Sequence, residues 1–205
     1  MIGEFGDFFD CSDSDSEEFD QEVRSKCKRC IRPLSVCLCK HIAQSVNTKA
    51  RVLIIQHPNE IKRPLRTVPL LQAALTDCHV IRTRKVHNID RPDIKAIIED
   101  RPAYVLYPGE GAISCRQIPE NSVIIAIDGT WRQARGMLTN SKGLARLPMC
   151  KVDYIPKTEY VIRTQPEEGF VSTLEAVSAA LSATENDPNL HNILTGLIDP
   201  TILTF

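Results

Sequence analysis

Residues 122–138, SVIIAIDGTWRQARGML, contain a change of pattern that indicates the fold. The run from Ser122 to Asp128 is apolar and rich in β-branched residues, which is typical of a strand buried on both faces. Directly after it, Thr130 begins a helical pattern, and Gln133 stands where its side chain can close a capping box. The stretch therefore predicts a buried strand that ends on a carboxylate and turns at once into a helix. Asp128 marks either a structural corner or a reaction centre.

Short apolar runs and helical patterns alternate along the chain from residue 51. The predicted strands are RVLIIQHP (51–58), HVIRTRKV (79–86), AYVLYPG (103–109), SVIIAID (122–128), YVIRTQP (160–166) and the shorter KVDYI (151–155). The predicted helices lie at 63–77, 91–100, 131–141, 172–184 and 187–198. This alternation predicts an α/β fold, in which helices cover both faces of a mostly parallel sheet.

Charge is distributed unevenly along the 205 residues. Nine of the 26 acidic residues lie in residues 1–23, which contain no Lys or Arg, so the remaining 182 residues carry 25 basic and 17 acidic side chains, a formal charge of +8. The acidic stretch is expected to be a disordered tail. A basic body suits a polyanionic partner such as RNA.

Two features of the sequence predict a soluble protein that lies inside the cell, in the cytoplasm or the nucleus, with no membrane partner. No apolar run approaches the ~20 residues that a membrane-spanning helix requires. The acidic N-terminus also lacks the basic segment of a signal peptide.

Four cysteines cluster in CKRCIRPLSVCLC, residues 27–39, as two close pairs. Cys27, Cys30, Cys37 and Cys39 have the spacing of a tetrahedral structural zinc site, which predicts a zinc module at 24–45 ahead of an α/β domain at 46–205. His41 as a substitute ligand, four unliganded thiols and a redox role remain open alternatives. The other four cysteines, Cys11, Cys78, Cys115 and Cys150, are interpreted as ordinary thiols.

Parallel sheets bind ligands at the carboxyl ends of their strands, so the functional site is expected where the apolar runs end. Four of these ends carry glycine, proline, charged or hydroxyl residues: QHPNEIKRPLRT (56–67), YPGEGA (107–112), DGTW (128–131) and RTQPEEGFVSTLEA (163–176). Thr130 and Ser172 also precede helical patterns, with Gln133 and Glu175 three residues on, so helix capping alone would explain them. Turn formation would likewise explain the glycines at these ends.

Five motifs follow one another over residues 27–185: C-x2-C…C-x-C, HP-x-E…R-x-x-R-T, YPGEGA, DGTWRQA and R-T…STLEA. In this order they resemble the DTW-domain proteins, which are tRNA-uridine aminocarboxypropyltransferases. The resemblance implies an enzyme that moves the 3-amino-3-carboxypropyl group of S-adenosylmethionine onto N3 of a tRNA uridine and releases methylthioadenosine. It also implies a fold similar to the SPOUT methyltransferases, with a C-terminal trefoil knot.

The resemblance and the strand ends together give candidate residues for each role. The catalytic candidates are Asp128, as the base for the N3 proton, with Thr130 and Trp131. The candidates for binding S-adenosylmethionine are Tyr107, Pro108, Gly109, Glu110, Gly111, Gly129, Ser172, Thr173 and Glu175. The candidates for binding RNA are Arg63, Arg66, Arg132, Arg135 and Lys142.

Several of these assignments have structural alternatives that the sequence leaves open. Trp131 either contacts substrate or packs in the core, and the arginines either bind RNA or form a solvated helix face. Glu110 and Glu60 either hold the amino group of the methionine moiety or pair with neighbouring arginines. At the level of function, a methyltransferase that uses the same donor and a non-catalytic zinc-containing RNA-binding module remain alternatives.

Overall fold

A computed structural model of the chain describes residues 25–42, 45–63, 66–153 and 171–198. Within these ranges six strands form one sheet: β1 (Arg51–Gln56), β2 (Cys78–Arg82), β3 (Ala103–Leu106), β4 (Ile113–Ser114), β5 (Val123–Asp128) and β6 (Met149–Lys151). Their order across the sheet is β2-β1-β5-β3-β6-β4, and every described strand pair is parallel. The α/β fold with a parallel sheet is therefore confirmed.

Helices cover both faces of the sheet, as the sequence predicts. The described α-helices are α1 (Val68–Ala74), α2 (Pro92–Ile98), α3 (Trp131–Thr139), α4 (Thr173–Glu185) and α5 (Pro188–Thr195). On β5, Ile124 and Ala126 pack in one apolar cluster with α1, α4 and α5, whereas Val123 and Ile125 pack in a second cluster with α2 and α3. Because successive side chains of a strand point to opposite faces, both faces of β5 are buried, which explains its continuous apolar run.

Some element boundaries differ from those predicted. The helical pattern at 63–77 yields a helix only from Val68, with Pro69 in its first turn, where the missing amide of proline is tolerated. The strand predicted at 151–155 begins two residues earlier, at Met149, and ends at Lys151, and residues 154–155 lie outside the described ranges. The two-residue edge strand β4 carries too short a pattern for sequence to reveal.

Three predicted features lie partly or wholly outside the described residues. They are the acidic tail at 1–23, the strand YVIRTQP and the part of the C-terminal knot that would involve residues 154–170. These remain predictions. Among the described helices, none has the length and apolar character needed to cross a bilayer.

The four-cysteine segment packs directly against the α/β body. Cys30, Leu38 and Ile42 are buried in the same apolar cluster as helix α1. The Arg29 guanidinium donates to the carbonyl oxygens of Ile42, at 3.2 Å, and of Ala73, at 2.9 Å. The segment therefore extends the core of the body on the α1 side of the sheet. The domain boundary near residue 45 remains a prediction.

Candidate active site

Asp128 ties together three elements at the carboxyl edge of the sheet. It is the last residue of β5, and only 8% of its surface is exposed. Its Oδ2 accepts a hydrogen bond from Gln56 Nε2 at 2.9 Å, and its Oδ1 accepts one from Thr173 Oγ1 at 2.5 Å. Gln56 ends β1 and Thr173 begins α4, so this one carboxyl group fixes the ends of both elements against β5.

Gln56 is a residue of this site that the sequence analysis missed. It lies opposite Asp128 in the parallel register of β1 and β5, and its Oε1 in turn accepts from Arg82 Nε, at the end of β2, at 3.4 Å. A signal was present in the sequence, because RVLIIQ and VIIAID both end an apolar run on a polar residue. Only the pairing of β1 with β5 shows that the two polar residues meet.

Both predicted capping boxes form at the edge of this site. Thr130 Oγ1 accepts from the Gln133 amide at 3.2 Å while Gln133 Oε1 accepts from the Thr130 amide at 2.7 Å, which starts α3. The same reciprocal pair joins Ser172 and Glu175 at the start of α4, with the same two distances. The boxes therefore fix where each helix begins next to the sheet edge.

A cavity of about 260 Å³ lies between the carboxyl ends of β3, β5 and β6 and the first turns of α3 and α4. Its walls are mostly apolar. The lining residues are Leu106, Tyr107, Pro108, Ala126, Ile127, Gly129, Trp131, Ala134, Lys151, Val152, Val171, Ser172, Thr173 and Ala176. The position matches the expectation for a parallel sheet, whose ligands bind beyond the carboxyl ends of the strands.

Trp131 lies at the mouth of the cavity and is not packed in the core. Its side chain is 39% exposed, and its ring centroid lies 6.0 Å from that of Tyr107 with the planes tilted by 57°. Two aromatic rings in this arrangement present a polarisable surface to a ligand. The structure therefore does not favour the core-packing interpretation of Trp131.

Six of the predicted residues line this cavity: Tyr107, Pro108, Gly129, Trp131, Ser172 and Thr173. Asp128 lies behind the wall and reaches it through Thr173. Thr130 and Glu175 serve the two capping boxes. Gly129 has a packing role besides, because a Cβ there would lie 3.2 Å from the Gln133 Cβ and would press on the capping box.

The YPGEGA segment contributes less to the cavity than predicted. Gly109, Glu110 and Gly111 form a turn closed by the Ala112 amide, which donates to the Gly109 carbonyl at 3.1 Å, and none of the three lines the cavity. Gly111 has a φ of +74°, so its turn conformation favours glycine without any ligand. The turn interpretation accounts for these glycines in the described structure.

His57, immediately after β1, borders the same edge. Burial, with a smaller contribution from the charge of Arg84, lowers the pKa of His57, so the neutral imidazole is favoured. Its Nδ1 accepts from the Asn59 amide at 3.2 Å, which requires that nitrogen to be unprotonated. His57 is therefore a neutral imidazole at the carboxyl end of β1.

The four clustered cysteines can hold a metal ion. Their sulfur atoms all lie within 4.8 Å of one another, with Cys27 and Cys39 at 3.5 Å and Cys30 and Cys37 at 3.7 Å. A tetrahedral site with Zn–S bonds of about 2.3 Å has sulfur–sulfur edges of about 3.8 Å, so the donor set fits. The amides of Cys30 and Arg29 lower the pKa of Cys27 to about 6, whereas burial raises the pKa of Cys39 to about 12, so Cys27 rather than Cys39 is favoured as a thiolate. His41 does not belong to this group.

Comparison with known protein families shows to which family this chain belongs. The sequence profile of the DTW domain matches residues 24–201, which span the cysteine cluster, the sheet and the five α-helices of the described residues. The chain belongs to the DTW domain family. Its D-x-T-W sequence is Asp128, Thr130 and Trp131, the segment that closes β5 and opens α3.

Relatives of this DTW-domain chain share most of its length. A Drosophila melanogaster protein named tRNA-uridine aminocarboxypropyltransferase 2 is 34% identical over 180 residues, which cover 83% of this chain and 71% of the fly protein. A Mus musculus protein of the same name is 37% identical over 84% of this chain and 61% of its own length. A Macaca fascicularis protein of that name is 34% identical over 83% of this chain and 60% of its own length. No solved structure matches the chain.

The basic residues predicted to bind RNA lie outside the cavity of this DTW domain. Arg132 and Arg135 are exposed on one face of α3, and Lys142 is exposed shortly after that helix. Arg63 and Arg66, between β1 and α1 in the chain, are half-buried, and Arg63 Nε lies 3.0 Å from Glu60 Oε2. For Glu60, the ion-pair interpretation is thus the one observed.

Proposed function

We propose that this DTW-domain protein transfers the 3-amino-3-carboxypropyl group of S-adenosylmethionine to N3 of a uridine in tRNA. The names of its relatives support this activity. One structural observation carries it at the level of residues. Asp128 and Thr173 form a hydrogen-bonded pair at the wall of a mostly apolar cavity that Trp131 flanks.

The reaction exchanges one bond for another. The N3 nitrogen of uridine attacks the Cγ carbon of the donor, the Cγ–S bond breaks, and its electron pair returns to sulfur. The sulfonium thereby becomes the neutral thioether methylthioadenosine. Since the leaving group already activates the electrophile, the enzyme contributes chiefly by placing Cγ, and not the methyl carbon, in line with N3.

The proton of N3 must leave during the attack, and Asp128 is the proposed acceptor. It lies behind the cavity wall, so the proposed route runs through Thr173, whose hydroxyl accepts the N3 proton as its own proton passes to Asp128. Gln56 keeps the second carboxylate oxygen in place during this transfer. The apolar walls exclude water, and Trp131 faces the sulfonium as a cation–π partner.

Exposed basic residues on α3 and shortly after it support a tRNA partner. Arg132, Arg135 and Lys142 are proposed to bind phosphates, which positions the RNA without selecting the base. Arg63 and Arg66 are proposed to extend this contact. The uridine must be turned out of its stack to reach the cavity.

Zinc is the metal proposed for the four-cysteine cluster. Cys27, Cys30, Cys37 and Cys39 would fill all four positions of a tetrahedral site, so no position is left for substrate. We propose that the zinc ion stabilises the cysteine-containing segment that packs against α1.

Donor labelling tests the proposed transfer. The protein and total tRNA are incubated with S-adenosylmethionine labelled either in the carboxyl carbon or in the methyl carbon. Carboxyl label in tRNA, with methyl label in methylthioadenosine, is expected. Methyl label in tRNA would make the protein a methyltransferase, and tRNA binding with neither label would indicate an RNA-binding module.

A further inference from the structure

Lys151 is the charged member of the cavity lining among the described residues. It ends β6, which lies between β3 and β4 in the sheet, so it stands across the cavity from the residues that end β5. The remaining lining residues are apolar, glycine, proline, tyrosine, tryptophan or hydroxyl residues. A cation at one point of a mostly apolar cavity predicts that the ligand carries an anionic group at that point.

Within the described ranges, no carboxylate forms an ion pair with the ammonium group of Lys151. None of the ion pairs between described residues includes it. The nearby Asp153 carboxylate accepts a hydrogen bond from the Ser114 hydroxyl. Lys151 is therefore available to a ligand, within the part of the chain that the structure describes.

The helix N-termini at the cavity are poor alternatives for an anion. The capping boxes already use the first and fourth amides of each cap, at Thr130 and Gln133 and at Ser172 and Glu175. At α4 the residue that closes the capping box, Glu175, is a carboxylate, whose negative charge offsets the positive end of that helix. Among the described groups at this cavity, Lys151 is thus the one to which an anion would bind.

We propose that Lys151 binds the carboxylate of the aminocarboxypropyl group and thereby selects which carbon of the donor reacts. This inference rests on the proposed function, because only that reaction moves the carboxylate with the transferred group. An anchored carboxylate fixes the short chain that ends at Cγ. The methyl carbon lies on the other side of sulfur and is not restrained by this contact.

Two donors that differ only in the carboxylate test this assignment. The probes are S-adenosylmethionine and decarboxylated S-adenosylmethionine, and affinities are measured by calorimetry without tRNA. The variants are Lys151→Met, Lys151→Arg and the matched control Lys95→Met, which removes an exposed lysine of α2 whose partner is Glu99.

Lys151→Met is expected to weaken S-adenosylmethionine binding by about 10- to 100-fold, the size of one charge-assisted hydrogen bond. Binding of the decarboxylated donor is expected to stay within about twofold of wild type. Lys151→Arg is expected to recover part of the loss, and Lys95→Met to match wild type for both donors.

Equal weakening of both donors by Lys151→Met, or unchanged binding of S-adenosylmethionine, would overturn the assignment. The donor-labelling experiment separates this failure from failure of the proposed function. Selective loss of S-adenosylmethionine binding without any carboxyl transfer by wild type would leave the carboxylate site standing and remove the proposed reaction. A wild-type protein that binds neither donor would overturn both.

Discussion

The Thr173 hydroxyl donates a hydrogen bond of 2.5 Å to Asp128 Oδ1, across 45 residues of sequence. This contact joins the D-x-T-W segment to the STLEA segment, two motifs that are far apart in the chain. One side of Thr173 faces the cavity and the other is held by the carboxylate. The two residues are best tested as a pair.

Thr173→Val is expected to lower both turnover and stability. It leaves Asp128 Oδ1 without its donor in a buried position, which costs about 1–3 kcal/mol in free energy of unfolding. Thr173→Ser keeps the hydroxyl and is expected to retain most activity. Urea unfolding and tRNA modification assays measure the two effects.

The matched control for that variant is Thr184→Val. Thr184 is buried in α4, and its hydroxyl donates to the Cys115 carbonyl at 3.2 Å, away from the cavity. Its removal is expected to lower stability while kcat stays near wild type. If Thr173→Val lost no more activity than Thr184→Val, Thr173 would have a structural role alone.

Asp128→Asn is expected to abolish transfer while tRNA binding persists. Removing a positioned general base typically costs about 10²- to 10⁴-fold in rate, whereas the exposed basic residues of α3 are untouched. Single-turnover modification and filter binding give the two quantities. Asp93→Asn, which removes an exposed carboxylate paired with Arg91, is the control. Turnover that survives Asp128→Asn unchanged would refute the base assignment.

Gln56→Glu is expected to make stability depend on pH in a new way. It would place a second carboxyl group where the Gln56 amide now lies, 2.9 Å from Asp128 Oδ2. Two carboxylates this close cannot both be charged without repulsion, so the variant should lose more stability at pH 8 than at pH 5. Melting temperatures of the variant and of wild type at both pH values measure it. A pH-independent difference between the two proteins would show that the pair does not interact as described.

The buried His57 and the half-buried His191 are expected to make wild type less stable in mild acid. Burial lowers the pKa of both His57 and His191 below the ordinary value of 6.5. The unfolded chain therefore takes up protons first, so their contribution is complete above about pH 6.5 and is lost as pH falls through the folded-state values. Thermal unfolding between pH 7.5 and 5.5 measures this slope, and His191→Gln, which does not titrate, should flatten it. The same slope in the variant would exclude His191 as a source.

Removing the metal is expected to loosen the packing of the cysteine segment on α1. Wild type should contain about one zinc ion per chain, since four cysteines form one site. Chelation, or Cys27→Ser, should lower the melting temperature and expose Leu38 and Ile42. Metal analysis and binding of a hydrophobic dye report the two effects. Cys78→Ser, at a cysteine outside the cluster, should keep its zinc. Zinc-free wild-type protein with an unchanged melting temperature would contradict the prediction.

Local patterns were sufficient for much of the fold. Alternating strand and helix periods predicted the parallel α/β arrangement, and the capping residues Thr130 and Ser172, each with its partner three residues later, predicted both helix starts. These features depend on residues within a single turn or strand, which are adjacent in sequence. The start of β6 and the two-residue β4 were not found, because segments this short carry almost no periodic signal.

The residue types at the strand ends, and the family that the motifs resemble, can be read from the chain alone. Which of these residues meet depends on how the strands are arranged in the sheet. Gln56 contacts Asp128 because β1 and β5 are neighbours, and Lys151 reaches the cavity because β6 lies beside β3. The order β2-β1-β5-β3-β6-β4 is set by packing between distant segments. The periodicity of a single segment indicates only which of its faces are buried, so it does not predict this strand order.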